Sequence, residues 1–266
     1  VAPRRNHGDA SVTGRKLMPT PPRFDTSAAP APHGGGLVLV APRAHHDQGE
    51  SAVAAAIYLH GRGASAQDIL SLHDEFATPR LLGFAPEAAG NSWYPYSFLA
   101  PIHENAAGID SAHAVIELLI KQCAAQRIPA ERVALVGFSQ GACLALDHAW
   151  RFPRRYGAII AFTGAIIVDH RDDIGDKIDD KIDDKIDDKI GDKIGETQAS
   201  NALAGTPVFL GANDPDPYIP WQRVESSARA LTRAGSLVTL RRYPGRPHGV
   251  FADEIAEARP LLDALS

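Results

Sequence analysis

The chain has 266 residues, of which 44% are apolar and 22% are charged, and this composition is typical of a folded globular protein. The formal net charge of −5 gives no reason to expect a nucleic-acid partner. No run of about 18 apolar residues occurs in the sequence, so we expect no membrane span.

The two cysteines, Cys123 and Cys143, form neither a C-x-x-C pair nor a metal-ligand spacing. We therefore expect no metal site, and we expect Cys143 to be a small buried apolar residue. Few cysteines favour a reducing compartment, and no apolar stretch of a secretory signal follows the arginines of "VAPRRNHGDASVTGRK". Together these observations predict a cytoplasmic protein.

Residues 1–33 are rich in Pro, Ala, Gly and Ser and have no periodic apolar face, which predicts a disordered leader. Met18 is the only methionine of the chain, and "MPTPPRF" is the expected start of the natural protein. Residues 34–266 have a length compatible with one domain.

Seven short apolar runs follow, and most are continuous, as in strands that are buried on both faces. They are "GLVLVA" (36–41), "VAAAIYLH" (53–60), "RLLGFAPEA" (80–88), "RVALVGF" (132–138), "GAIIAFTGA" (157–165), "TPVFLGA" (206–212) and "SLVTLRRYP" (236–244). Helical patterns lie among and after them, at 104–127, 140–152, 220–235 and 250–265. This alternation predicts an α/β fold with a mostly parallel sheet and helices on both faces.

One segment breaks the alternation, the four-residue repeat "DDIGDKIDDKIDDKIDDKIGDKIG" (172–195). In a helix, four residues turn by about 400°, so the isoleucine stripe drifts by about 40° with each repeat. Such a stripe cannot stay on one core face. We expect a solvated, partly helical, acidic insertion at about 170–197, and we favour a tolerant surface loop over a functional segment.

The pentapeptide "GFSQG" places Ser139 between two glycines, after a predicted strand and before a predicted helix. A G-x-S-x-G pattern alone is weak evidence of function. The strand–turn–helix context strengthens it, because ligands bind at the carboxyl ends of parallel strands and a serine on such a turn can act as a nucleophile. Ser139 is therefore the candidate nucleophile.

A serine hydroxyl needs a general base, and the base needs an acid that orients it. In α/β-hydrolase sheets the chain order is serine, acid, histidine. His170 and His248 both follow the predicted helix that starts after Ser139, and His170 begins the charged insertion. His248 lies in "YPGRPHGV", in a turn between the last strand and the last helix, and is the candidate base.

The acid should follow the preceding strand, where "GANDPDPYIP" offers both Asp214 and Asp216, and spacing does not choose between them. The oxyanion of an acyl-transfer intermediate also needs hydrogen-bond donors. The backbone N–H of Gln140 lies at the start of a helix and is one candidate. The glycines of "LHGRGAS" allow close approach of the backbone, which makes the N–H of Arg62 the second.

The stretches "LHGRGAS", "GNSWYPYSF", "GFSQGA", "DPYIP" and "GRPHGV" resemble the phospholipase/carboxylesterase family of α/β hydrolases, which includes bacterial carboxylesterases and acyl-protein thioesterases. The matching stretches are spread over about 36–265. The resemblance implies that Asp216 rather than Asp214 is the acid, and that the backbone N–H groups of Arg62 and Gln140 form the oxyanion hole. The acidic repeat departs from the family pattern, where a shorter loop is expected.

The segment "NSWYPYSFLAPI" is rich in aromatic residues and is expected beside the site. Trp93, Tyr94 and Phe98 are therefore candidates for the wall that contacts the acyl or alcohol part of a substrate. Packing beneath a loop is an equally good explanation of these three residues. Lys, Arg and acidic residues do not cluster near the motifs, so no receptor for a charged head group is visible.

These residues predict a serine carboxylesterase that acts on soluble short-chain esters through Ser139, His248 and Asp216, with no metal and no cofactor. An acyl thioesterase or a lysophospholipase shares this chemistry and remains an alternative. A dienelactone-type hydrolase is less favoured, because that family usually has Cys where Ser139 stands. A binding module on a hydrolase fold should lack a triad member, and an interaction protein acting through the repeat would leave the triad unexplained. The expected partner is a small-molecule ester, and a homodimer is left open.

Overall fold

The computed structural model describes residues 24–41, 52–76, 78–167 and 201–265. Seven strands occur in these ranges: β1 (Val38–Val40), β2 (Ala54–Leu59), β3 (Leu81–Pro86), β4 (Val133–Phe138), β5 (Ala158–Phe162), β6 (Pro207–Asp214) and β7 (Leu237–Pro244). They form one sheet in the order β1-β3-β2-β4-β5-β6-β7. β1 is antiparallel to β3, and the other five pairs of neighbours are parallel.

Helices cover both faces of the sheet, and the alternation of side chains along β2 shows how. The helices are α1 (Ala66–Phe76), α2 (Ile102–Ala125), α3 (Gln140–Arg151), α4 (Trp221–Arg233) and α5 (Ala252–Asp263), with short 3₁₀ turns at Ala89–Asn91 and Ala130–Arg132. Ile57 lies in one apolar cluster with residues of α2, α3 and α4, whereas the next residue, Tyr58, lies in a second cluster with residues of α1 and α5.

The fold class predicted from the sequence, a mostly parallel sheet between two layers of helices, is confirmed. Each predicted strand is present, and four helices lie where helical patterns were predicted. Helix α1 was not among the predictions. It is capped by Ser65, whose hydroxyl accepts a hydrogen bond from the Asp68 N–H at 3.2 Å while the Asp68 carboxylate accepts the Ser65 N–H at 2.8 Å.

Part of the predicted disordered leader packs on the domain. The ring of Phe24 stacks on Phe84 of β3 with ring centroids 4.2 Å apart. His33 is 3% exposed, and its backbone N–H donates to the Ser111 hydroxyl at 2.9 Å. Single contacts with residues distant in sequence therefore order positions 24–33. Composition and periodicity did not reveal these contacts.

Residues 1–23 of the predicted leader, and the predicted insertion at about 170–197 with His170, lie outside the described residues. The described chain stops at Ile167 and resumes at Asn201, and both Ile167 and Leu203 are buried in the core. None of the helices in the described ranges has both the length and the apolarity needed to cross a bilayer.

Candidate active site

Ser139 lies on a sharp turn between the end of β4 and the start of α3, with φ of 54° and ψ of −118°. A non-glycine residue held in such a region costs about 1–3 kcal/mol, so the surrounding packing must enforce it. A Cβ at Gly137 would lie 2.3 Å from the Gly141 carbonyl oxygen, and one at Gly141 would lie 2.0 Å from the Leu59 carbonyl oxygen. Both glycines are therefore required for the close contact that presents Ser139 at the carboxyl edge of the sheet.

His248 lies between the hydroxyl of Ser139 and a carboxylate. Its Nε2 is 2.9 Å from Ser139 Oγ, and its Nδ1 is 2.7 Å from Asp216 Oδ2. The rings of Phe138 and Tyr218 contact the imidazole, Phe138 at a tilt and Tyr218 edge-on, each with its centroid 4.9 Å away. The structure thus brings together the serine, histidine and aspartate that the sequence and the resemblance selected.

The structure also distinguishes Asp216 from Asp214. The side chain of Asp216 has no exposed surface, and its Oδ1 accepts the backbone N–H groups of Tyr218 and Ile219, both at 2.9 Å. Its Oδ2 is left to face His248. Asp214 instead forms an ion pair with Arg242 on the neighbouring strand β7, with Arg242 Nε at 2.8 Å. Asp216 is therefore the carboxylate in contact with the imidazole.

The two expected oxyanion donors lie in the turns that follow β2 and β4, which are neighbouring strands of the sheet. Arg62 follows β2, and Gln140 is the first residue of α3. Among the described residues, neither backbone N–H donates to another backbone group, as expected for donors that are kept for a ligand.

The side chains of these same two residues hold one loop. Gln140 Oε1 accepts the Trp93 N–H at 2.9 Å, and Gln140 Nε2 donates to the Tyr94 carbonyl at 2.8 Å. The Arg62 guanidinium donates to the carbonyls of Pro95 at 2.7 Å and of Tyr96 at 2.5 Å. The sequence predicted roles for the backbone N–H groups of Arg62 and Gln140 but not these side-chain contacts.

The three aromatic residues expected to form the substrate wall are largely buried. Trp93 is 0% exposed, and its indole N–H donates to the His60 carbonyl at 2.9 Å, so it supports the loop from inside and does not border an open surface. This corrects the expectation for Trp93. Tyr94 and Phe98 are 2% and 4% exposed. Tyr96 and Tyr218 are the exposed aromatic residues in the described part of the chain, and neither was predicted from the sequence to contact substrate.

Two buried histidines support the same loop. His33 Nε2 lies 2.8 Å from the Trp93 carbonyl, and its Nδ1 accepts the Ala89 N–H at 3.1 Å. His60 Nε2 accepts the Ala88 N–H at 3.0 Å. Burial lowers the pKa of both histidines, so each is neutral at pH 7, as its role as a hydrogen-bond acceptor requires.

The chain is similar in sequence to known proteins. The sequence model of the phospholipase/carboxylesterase family matches residues 46–171. Acyl-protein thioesterase 1 of Eremothecium gossypii is 37% identical over 184 residues, which cover 68% of this chain and 67% of the relative. The chain belongs to the phospholipase/carboxylesterase family. The resemblance read from the motifs is confirmed.

Solved structures extend the match to the α/β-hydrolase fold. The crystal structure of a phospholipase/carboxylesterase from Dyadobacter fermentans is 33% identical with a TM-score of 0.69, covering 85% of this chain and 96% of that one. The structure of esterase PE8 is 26% identical with a TM-score of 0.65, covering 87% and 98%. This member of the phospholipase/carboxylesterase family is therefore a serine hydrolase.

Proposed function

We propose that the protein is a carboxylesterase that hydrolyses soluble short-chain esters, with Ser139 as nucleophile, His248 as general base and acid, and Asp216 as the group that orients the imidazole. The observation that carries the proposal is the pair of hydrogen-bond distances at His248, 2.9 Å to Ser139 Oγ and 2.7 Å to Asp216 Oδ2. Both are within the range needed for proton transfer between side chains.

The proposed reaction follows from the donor and acceptor roles in this chain of contacts. The Asp216 carboxylate accepts the Nδ1–H of His248, which leaves Nε2 as an acceptor for the hydroxyl proton of Ser139. Ser139 Oγ then attacks the ester carbonyl, and the N–H groups of Arg62 and Gln140 stabilise the oxyanion. His248 returns the proton to the leaving alcohol, and water cleaves the acyl-enzyme by the same proton route.

An acyl thioesterase is the second candidate, because the relative from Eremothecium gossypii carries that name. The two candidates differ in the leaving group, an alcohol or a thiol. A panel of p-nitrophenyl esters from acetate to palmitate, together with an acyl thioester, compares them directly. A kcat/KM that is highest for acetate or butyrate supports the carboxylesterase, whereas a higher value for the thioester would replace it.

Covalent labelling tests the proposed nucleophile. A fluorophosphonate probe should label Ser139, and Ser139→Ala should remove the labelling and lower kcat by at least about a thousandfold, because the nucleophile is lost while binding remains. Ser71→Ala, which changes an exposed serine of α1, is the matched control and should leave both unchanged. Labelling of the Ser139→Ala variant at another serine would refute the assignment.

We also propose that the enzyme works in the cytoplasm. Cys123 and Cys143 are both free and buried. Cysteines that form no disulfide are typical of proteins in a reducing compartment. Fractionation of the source cells, with a thiol count on the purified protein, tests this; recovery in an extracytoplasmic fraction would contradict it.

A further inference from the structure

We propose that Asn213 is a positioning residue that holds the loop carrying His248 in register with Ser139. The inference rests on the proposed function, since it assigns Asn213 a part in placing the proposed base. Asn213 is the next-to-last residue of β6, and it is 1% exposed. Asn213 was not among the site residues predicted from the sequence.

The contact that carries the proposal joins Asn213 to the residue after the histidine. Its Nδ2 donates to the Gly249 carbonyl at 2.9 Å. Because a carbonyl oxygen accepts hydrogen bonds and cannot donate them, the amide nitrogen must be the atom that faces Gly249. The other amide atom, Oδ1, is buried and has no hydrogen-bond partner within the described ranges. The hydrogen bond from Nδ2 to the Gly249 carbonyl therefore sets the orientation of the Asn213 amide.

The same amide reaches the strand beside the nucleophile. Asn213 Nδ2 also lies 3.4 Å from Thr163 Oγ1. Thr163 has a φ of 54°, and its N–H donates to the Gly211 carbonyl at 2.7 Å. The preceding carbonyl, of Phe162, accepts the Ser139 N–H at 2.9 Å. Asn213 therefore lies between the backbone that holds Ser139 and the loop that holds His248.

The loop has a second attachment on the other side of His248. Arg246 forms a two-point ion pair with Asp253, with Nη1 at 2.8 Å from Oδ1, and its guanidinium lies over the rings of Tyr243 at 4.6 Å and Phe251 at 5.1 Å. This contact is partly exposed, and exposed ion pairs contribute only about 0–1 kcal/mol. The Asn213 side chain is 1% exposed, so its hydrogen bond to Gly249 is the less exposed of the two attachments.

The expected effect is on the chemical step. A displacement of about 1 Å in a reacting group can lower the rate about a hundredfold. Loss of the Gly249 hydrogen bond should move His248 relative to Ser139 Oγ, which is 2.9 Å from Nε2. The pocket walls that bind the ester are unchanged. A positioning role therefore predicts a lower kcat with a nearly constant KM.

The test compares Asn213→Ala with the wild type and with Thr206→Val. Thr206 is fully buried and directly precedes β6, at the end of the strand opposite to Asn213. Its hydroxyl accepts the Tyr156 N–H at 3.1 Å, so Thr206→Val also removes one buried hydrogen bond. On p-nitrophenyl acetate, with active sites titrated by the fluorophosphonate, Asn213→Ala should lower kcat at least tenfold and change KM by less than twofold. Thr206→Val should leave both within twofold.

A spectroscopic measurement and a second variant complete the test. The low-field proton resonance of the His248–Asp216 hydrogen bond should broaden in Asn213→Ala and persist in Thr206→Val. Asn213→Asp has the same shape, but its ionised carboxylate has no donor, so it should lower kcat as much as Asn213→Ala. It takes the place of Asn213→Ala in the test if that variant folds poorly. A kcat within twofold of wild type in either folded variant overturns the inference. If instead the wild type neither hydrolyses esters nor labels at Ser139, the proposed function fails.

Discussion

The side chain of Gln140 accepts the backbone N–H of Trp93 at 2.9 Å, while the backbone N–H of Gln140 itself is a proposed oxyanion donor. One residue therefore links the donor to the loop beside it. Gln140→Ala keeps the backbone N–H and removes the link.

We expect Gln140→Ala to lower kcat on p-nitrophenyl acetate by about tenfold to a hundredfold, because the oxyanion donor and the loop lose their common support. The control is Gln122→Ala, since Gln122 likewise holds a distant backbone segment through both amide atoms, which bond the Asp25 N–H at 2.8 Å and the Asp25 carbonyl at 2.6 Å. Steady-state kinetics should show an unchanged kcat for the control. Equal losses in both variants would indicate a general loss of stability.

The two aspartates after β6 should differ sharply. Asp216→Asn should lower kcat by several orders of magnitude, because an amide that donates to Nδ1 favours the wrong tautomer of His248. Asp214→Asn removes a partly exposed ion pair with Arg242, which is worth about 0–1 kcal/mol, and kcat should stay within threefold. Kinetics of the two purified variants decide this, and the reverse order would assign the acid to Asp214.

A buried group of imidazoles and charges joins α2 to α3 and should make stability depend on pH. His148 Nδ1 lies 3.1 Å from His113 Nδ1, and His148 Nε2 lies 3.0 Å from Glu117 Oε1. Burial lowers the pKa of His148 from 6.5 to about 4. Burial alone would raise the pKa of Glu117, but hydrogen bonds from His148 and Arg154 lower it to about 2.

The unfolded chain protonates His148 near pH 6.5 and the folded chain only near pH 4. The unfolded state therefore binds more protons between these values, and stability falls as the pH falls from 6.5 to 4, by on the order of 3 kcal/mol for this group. His148→Gln should flatten the dependence of Tm on pH across this window. His103→Gln, at an exposed position of α2, should not. Parallel curves for wild type and His148→Gln would contradict the prediction.

Glu254 should act in the opposite direction. Both of its carboxylate oxygens are buried without a hydrogen-bond partner in the described ranges, and Arg246 Nη1 is 3.8 Å away. Burial raises the pKa of Glu254 from 4.5 to about 7. The folded state binds the extra proton, so its stability is lost as the pH rises from 4.5 through 7.

Glu254→Gln imitates the protonated side chain at every pH. Its Tm should exceed that of the wild type by several degrees at pH 8, and the difference should shrink toward zero near pH 4.5. Glu257→Gln, which lies on the same helix but is partly exposed and paired with Arg241, should give no gain at pH 8. Scanning calorimetry at both pH values measures the difference; a gain that is equal at both would refute the assignment.

The sequence predicted the sheet well because its strands carry their own signal. The central strand β4 is a continuous apolar run that ends at a glycine pattern, and local composition suffices to place it. Helix α1 was missed although it also carries a local signal, the Ser65-x-x-Asp68 capping pattern. With that pattern and the buried Ile69 and Phe76, the helix could have been predicted.

Other features depend on partners distant in sequence, and local patterns do not show them. His33 is ordered by Trp93, which is 60 residues away, so a Pro- and Ala-rich composition gave the wrong impression of residues 24–33. The contact between Asn213 and Gly249 spans 36 residues and becomes visible only when β6 and the last turn are in place. The burial of Trp93 likewise follows from the loop path and not from its neighbours in sequence.

The shared support of the loop at 92–96 by Arg62 and Gln140 has a consequence for protein engineering. A designer who grafts this loop from a relative would leave the two side chains aimed at carbonyls and N–H groups that have moved. The turn after β2, the loop at 92–96 and the start of α3 should therefore be exchanged together. Libraries that recombine relatives should place their crossover points outside all three segments.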